Sequence, residues 1–185
     1  MQNLQDHLLI AMPAMGDPNF NETVTYIFEH TEKNGALGII INRPLEMELG
    51  EIFGQFTLST AEHSQSQKPV LNGGPVHRDR GFVIHNSTEH YDSTLETSVG
   101  LKLTTSQDIL SSMAGGKGPH VALVALGCAG WEAGQLEAEL LTNTWLSVPA
   151  DLTIVFETPF DLRWTAAVGL LGVDINRLSS YAGRA

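Results

Sequence analysis

The stretch 120–145, HVALVALGCAGWEAGQLEAELLTNTW, decides how the rest of the chain is read. Val121 to Leu126 is an unbroken apolar run, which suits a strand covered on both faces. Gly127-Cys128-Ala129-Gly130 reads as a glycine turn, and the residues after Trp131 as a helix. On that helix Glu132, Gln135 and Glu139 fall on one stripe while Leu136 and Leu140 share another face. Strand-to-helix turns are where nucleophile elbows and phosphate cradles form, and Cys128 lies in this one. No base accompanies the thiol, and Glu132, Glu137 and Glu139 oppose a thiolate or a bound phosphate by like charge.

Toward the C-terminus, Leu152 to Phe156 reads as another apolar strand. Thr158-Pro159-Phe160-Asp161 then supplies a cap, a first-turn proline and an acid for a helix that Gly172 stops, and Asp174 caps a last short helix carrying Ile175, Leu178 and Tyr181. Toward the N-terminus, Thr105-Ser106-Gln107-Asp108 resembles a capping box for a helix ending at Gly115-Gly116. The following AGGKGPH (114–120) is not a phosphate loop, because Lys117 precedes Gly118 and the glycines close a helix instead of opening one. Short strands are expected near Val70, from Phe82 to His85 and around Leu95 to Leu103, after a polar loop from Thr57 to Pro69. Leu49, Ile52, Phe53 and Phe56 recur at helical spacing. Thr23 to His30 and Ala36 to Asn42 flank Lys33-Asn34-Gly35, an Asn-Gly hairpin signal, and Leu8 to Ala11 is the first buried strand. Strands and helices mix without strict alternation, so the class is α+β, a mixed sheet with helices outside it, in one domain spanning 1–185.

Composition narrows the function. With 185 residues and 42% hydrophobic side chains the chain can bury one sizeable core. Its 21 acidic against 10 basic residues give a formal net charge of -11, and nothing is more basic than His77, Arg78 and Arg80 around Asp79, so direct nucleic-acid binding is disfavoured. A single cysteine excludes an internal disulfide and cysteine-based zinc sites and suits a reducing cytosol. The N-terminal segment has an apolar run of only Leu8 to Met12 and no basic region before it, so neither a signal peptide nor a membrane span is expected, and the localisation expected is cytoplasmic. The seven histidines show no spacing that puts two metal ligands on one helix face, so no metal and no cofactor is expected. His30 and His85 close strands and are expected either to converge with Asp17, Glu29 or Asn42 or to serve as hydrogen-bonded structural groups. Asn72-Gly73-Gly74-Pro75 reads as a sharp turn, with an anion-binding nest of N–H groups as its functional alternative.

Three blocks together resemble the YqgE/AlgH family of bacterial proteins: LLIAMPAMGDPNFNETVTYIFEH with GALGIIINRP (Leu8 to Pro44), NGGPVHRDRGFVIH (Asn72 to His85) and LGCAGWEAGQLEAELLTNTWL (Leu126 to Leu146). The resemblance implies a bifurcated mixed sheet with a small barrel-like part, surrounded by helices. It carries a transcriptional-regulator label and implies no settled activity, catalytic residue or cofactor. Where that family more usually has an aromatic residue, this chain has Cys128, which weakens a thiol mechanism further. The motif positions to follow as ligand or interface candidates are Asp17, Glu29, His30, Asn42, Gly73, Gly74, His85, Trp131, Gln135 and Glu139, together with Pro13, Phe20, Pro44 and Pro75. The leading expectation is a non-enzymatic protein that binds a protein partner or a small molecule, with regulatory effect. An acid–base hydrolase using Glu29, His30, His85 or Glu139 is the second reading, and transcriptional regulation by DNA contact the third.

Overall fold

The apolar run after His120 is indeed the central strand, but it does not stop at Gly127. The computed structural model describes residues 3–56, 58 and 63–172. In chain order its elements are β1 His7–Ala11, β2 Val24–Thr31, β3 Gly35–Ile40, β4 Pro44–Glu48, α1 Leu49–Gln55, α2 His63–Ser66, β5 Pro69–Asn72, β6 Val76–His85, β7 Thr94–Glu96, β8 Lys102–Thr104, α3 Gln107–Ala114, β9 Ala122–Trp131, α4 Gln135–Leu141, β10 Trp145–Pro149, α5 Leu152–Phe156, a 3-10 turn Phe160–Leu162 and α6 Arg163–Leu170. Gly127, at φ 77°, kinks β9 without ending it, so the glycines expected to turn the chain into a helix instead lie within the strand.

The sheet runs β10-β1-β2-β3-β9-β6-β8-β7, with β5 joining β9 and β4 joining β5. One edge of β9 is shared: Val124 to Leu126 pair in parallel with β5, and Ala129 to Trp131 pair antiparallel with β3. That sharing is the bifurcation, and all other pairings are antiparallel, giving a curled half-barrel in an α+β fold. α5 and α6 cover one face, burying Ile154, Val155, Ala167 and Val168 against Leu8, Tyr26 and Phe28. α4 covers the other face through Leu136. α1 and α3 close a second layer over Val70, Val83 and Val124. Each large aliphatic side chain enclosed in these layers contributes about 1.5–3 kcal/mol relative to exposure.

Several expectations are corrected. Leu152 to Phe156 is a helix: the Asp151 carboxylate accepts from Thr153 N at 2.8 Å, a capping bond that overrides the β-branched content of the segment. The strand of that region is instead Trp145–Pro149, an edge partner for β1. The short strands expected around Leu95 to Leu103 are present as β7 and β8, paired as a hairpin. α2 interrupts the polar loop, and β4 was not expected. The capping box expected at 105–108 does not form: Ser106 is the N-cap without a side-chain capping bond, and the Asp108 carboxylate accepts from Ile109 N. The expected β2–β3 hairpin forms, but of Asn34 and Gly35 only Gly35 has positive φ, 77°, and Thr31 pairs with Gly35 across Glu32, Lys33 and Asn34. A Cβ on Gly35 would stand 1.9 Å from the Trp131 carbonyl oxygen, so glycine is required there for space as well as for backbone conformation. The short helix expected after Asp174 lies outside the described residues.

Candidate functional site

The far end of β9 gathers Trp131, Gln135, Glu139 and Phe20 from among the expected residues. Glu139, on α4, accepts from Trp131 Nε1 at 3.0 Å, from Trp145 Nε1 at 2.7 Å and from Gln135 Nε2 at 2.9 Å, while Gln135 Oε1 accepts from Glu132 N at 2.9 Å. Asp17 organises the exposed loop before β2, its carboxylate accepting from Asn19 N and Nδ2. That loop delivers Phe20, whose ring lies 5.4 Å from Trp145 and 6.2 Å from Trp131 between centroids. The polar side-chain atoms of Trp131, Trp145, Gln135 and Glu139 are partnered within the cluster, which fastens α4 onto the sheet, and Phe20 packs its loop against the two indoles.

His30 joins the same end because of a β-bulge. Ile27 faces Gly38 and Glu29 faces Leu37, so Phe28 is an extra residue, and the strand resumes with His30 on the α4 face instead of the α6 face. There His30 Nε2 meets Glu137 Oε1 at 2.9 Å, and Nδ1 accepts from Leu4 N at 3.0 Å. The backbone N–H fixes the ring as the Nε2–H tautomer and leaves neither nitrogen for a substrate. Glu29 is half-buried and projects to the opposite face from its neighbour.

His85 lies elsewhere. His30 is level with Trp131 through Ala36, whereas His85 pairs with Ala122, so the two histidines are separated by the length of β9, roughly 30 Å of strand. His85 is fully buried, its Nε2 on Thr104 Oγ1 at 2.9 Å and its ring edge-on to Tyr91. Burial, assisted by nearby Lys102, holds its pKa down to about 4. Glu29, His30, His85 and Glu139 therefore do not converge.

Asn42 is a splint, accepting from Val24 N at 2.8 Å and donating to Glu22 O at 2.9 Å. The nest reading of Gly73-Gly74 is corrected too. Gly73 N donates to Leu126 O at 2.8 Å and Gly74 N to Asn72 Oδ1 at 3.3 Å, which leaves neither amide for an anion. These glycines permit a backbone crossing: a Cβ on Gly74 would sit 2.3 Å from the carbonyl of Cys128.

Neither of two clefts in the sheet is lined by an expected ligand or interface residue. Both flank the β6–β8–β9 part of the sheet and share Thr105 at their lip. The narrower, about 160 Å³, lies under α1 and α3 over Val83, Val124 and Leu126. The wider, about 410 Å³, is floored by Leu37, Phe82, Leu95, Leu103 and Cys128, with His77 and Arg80 at its rim. Val76 pairs with Cys128 and Gly81 with Leu126, so His77 to Arg80 leave the ladder as a bulge over this cleft. Cys128 is buried, and burial pushes its thiol up against a smaller opposing pull from Arg80. Cys128 and the HRDR run are the sequence signals for this place, legible as a thiol and as charge, not as a cleft. Among the described residues no cluster of three or more His, Cys, Asp or Glu is placed to hold a metal ion, and no helix is long and apolar enough to cross a membrane.

The profile of the AlgH-like family (DUF179) matches residues 8–176. A UPF0301 protein of Xanthomonas campestris pv. campestris (strain B100) is 52% identical over 182 residues, covering 98% of this chain and 96% of its own length. A UPF0301 protein of Xanthomonas oryzae pv. oryzae (strain PXO99A) is 50% identical over the same length. Among solved structures, the solution structure of the AlgH protein from Pseudomonas aeruginosa superposes with a TM-score of 0.81 at 48% identity, covering 100% of this chain and 97% of that one. A crystal structure of a Corynebacterium diphtheriae protein superposes with a TM-score of 0.72 at 17% identity, covering 97% and 93%, a likeness of fold alone.

Proposed function

This chain belongs to the AlgH-like family, and from that premise we infer that it is a cytosolic binding protein, not a catalyst, taking a small molecule in the wider cleft beside β6 and β8. The observation that carries the reading is the cleft itself: concave, largely apolar in its floor and rimmed by a few polar groups, as ligand sites generally are. Its volume of about 410 Å³ suits a small organic ligand. Against catalysis stand the engaged nitrogens of His30, the buried neutral ring of His85 and the raised Cys128 thiol. Against direct DNA contact stands the net charge of -11.

The test is a heteronuclear NMR screen of the isotope-labelled full chain against a chemically mixed fragment library. Shift changes grouped on Leu37, Arg80, Leu95 and Leu103, with every fragment recovered intact, support the reading. Steady conversion of a fragment, or shift changes confined to other parts of the molecule, overturns it.

A further inference from the structure

We propose that the wider cleft selects a small anion, a carboxylate or a phosphate monoester borne on an apolar body, with the Arg80 guanidinium as its anchor and His77 as a second polar contact; this rests on the reading of that cleft as a ligand site. In a chain of net charge -11 the lining of this cleft carries the cation of Arg80 and no carboxylate. Arg80 forms no ion pair with a carboxylate among the described residues. The neighbouring carboxylate, Asp79, lines the other cleft.

The guanidinium is nevertheless positioned. Its Nη2 donates to Thr105 Oγ1 at 3.2 Å, and its central carbon lies 5.7 Å from the centre of the Phe82 ring. Those two contacts engage one edge and one face of a planar group with five N–H donors, so donors remain for a carboxylate or phosphate oxygen. Arginine matches such oxygens in paired geometry, which a point charge does not.

The backbone around the rim supports the same assignment. Among the described residues five non-glycine residues have positive φ, and two of them, His77 at 49° on β6 and Ser93 at 45° in the bend before β7, line this one cleft. Strained backbone of that kind persists where the surroundings hold it and gathers at ligand sites. At His77 it belongs to the bulge that lifts 77–80 out of the β6 ladder, the same bulge that carries Arg80 to this cleft. The floor below offers Leu37, Leu95 and Leu103 for an apolar body, and its low polarity strengthens the attraction between guanidinium and anion.

The experiment titrates labelled full-length protein with phenyl phosphate, phenylacetate, neutral phenylacetamide and inorganic phosphate, using the wild type and Arg80→Gln. Expected are shift changes on Arg80, His77 and Leu103 with one or both aromatic anions, and a loss of their affinity of about ten- to a hundredfold in Arg80→Gln, the size of a charged hydrogen-bonding contact. The ratio of the two aromatic anions distinguishes a carboxylate from a phosphate ligand. A folded Arg80→Gln protein, shown by an unchanged spectrum away from the cleft, that binds the anions as well as wild type overturns the anchor. Phenylacetamide binding in the cleft as tightly as phenylacetate overturns the anion preference while leaving the cleft a ligand site. Inorganic phosphate matching phenyl phosphate overturns the apolar body. No cleft response to any anion at millimolar concentration overturns the whole assignment, while cleft binding of fragments of other charge in the broader screen would still uphold the ligand site.

Discussion

Replacing Glu139 by alanine should destabilise the protein without touching either cleft. The substitution removes the acceptor of three donors, Trp131 Nε1, Trp145 Nε1 and Gln135 Nε2. Trp131 and Trp145 are only 5% and 2% exposed, so their indole N–H groups have little alternative access to water. A buried donor left without a partner costs about 1–3 kcal/mol, and with water entering beside half-buried position 139 the two indoles together cost about 2–4 kcal/mol. In a chain of this length each kcal/mol moves the melting midpoint by about 2–4 °C, so Glu139→Ala should melt about 5–15 °C below wild type. Glu139→Gln keeps an oxygen for the indoles but gives up the charge that strengthens those bonds, and should fall between the two. Thermal and urea unfolding followed by tryptophan fluorescence measure both. A Glu139→Ala midpoint within about 1 °C of wild type would show that the cluster does not hold α4 to the sheet and that Glu139 is present for another purpose.

Gly74→Ala should fold poorly or lose more than about 3 kcal/mol, since overpacking is added to strained backbone at φ 148°, whereas Gly130→Ala, with nothing within 4 Å, should be neutral or stabilising by up to about 1 kcal/mol; urea midpoints compare them. His85 is held neutral, its folded pKa of about 4 lying below the unfolded value near 6.5, so the unfolded chain binds the extra proton first. Stability should therefore be full above about pH 6.5 and fall by about 3 kcal/mol as the pH drops to about 4, a slope that His85→Gln should reduce in denaturation series across that window. Arg163 is buried and donates to Thr158 O at 2.8 Å and to Ile41 O, and its pKa is lowered by burial to about 10. Arg163→Met should cost about 2–4 kcal/mol by leaving both carbonyls unpaired, and a calorimetric midpoint equal to wild type would contradict that role.

Much of the local structure was legible because local patterns have local causes. The β2–β3 hairpin, the amphipathic α1 and the central apolar strand follow from periodicity and turn chemistry carried by neighbouring residues. Leu152 to Phe156 was misread because its β-branched residues have the composition of a strand, while the Asp151 cap and the pairing already made by Trp145–Pro149 decided for a helix. The family blocks around Asn72 to His85 and Leu126 to Leu146 are also where the backbone crossing and the Glu139 cluster lie, so those motifs mark how the fold is fastened.

Amino-acid order alone determined the α+β class, the formal net charge of -11 and the family to which the chain is similar, because composition and short-range spacing suffice for each. Only the tertiary structure decided which side chains meet. A single extra residue at Phe28 turns His30 toward Glu137, the length of β9 keeps His85 away from it, and a bulge of four residues carries His77 and Arg80 over a cleft that no run of letters announces. Side-chain direction alternates residue by residue along a strand, so one insertion reverses a face, and partners distant in sequence are chosen by closure of the whole sheet.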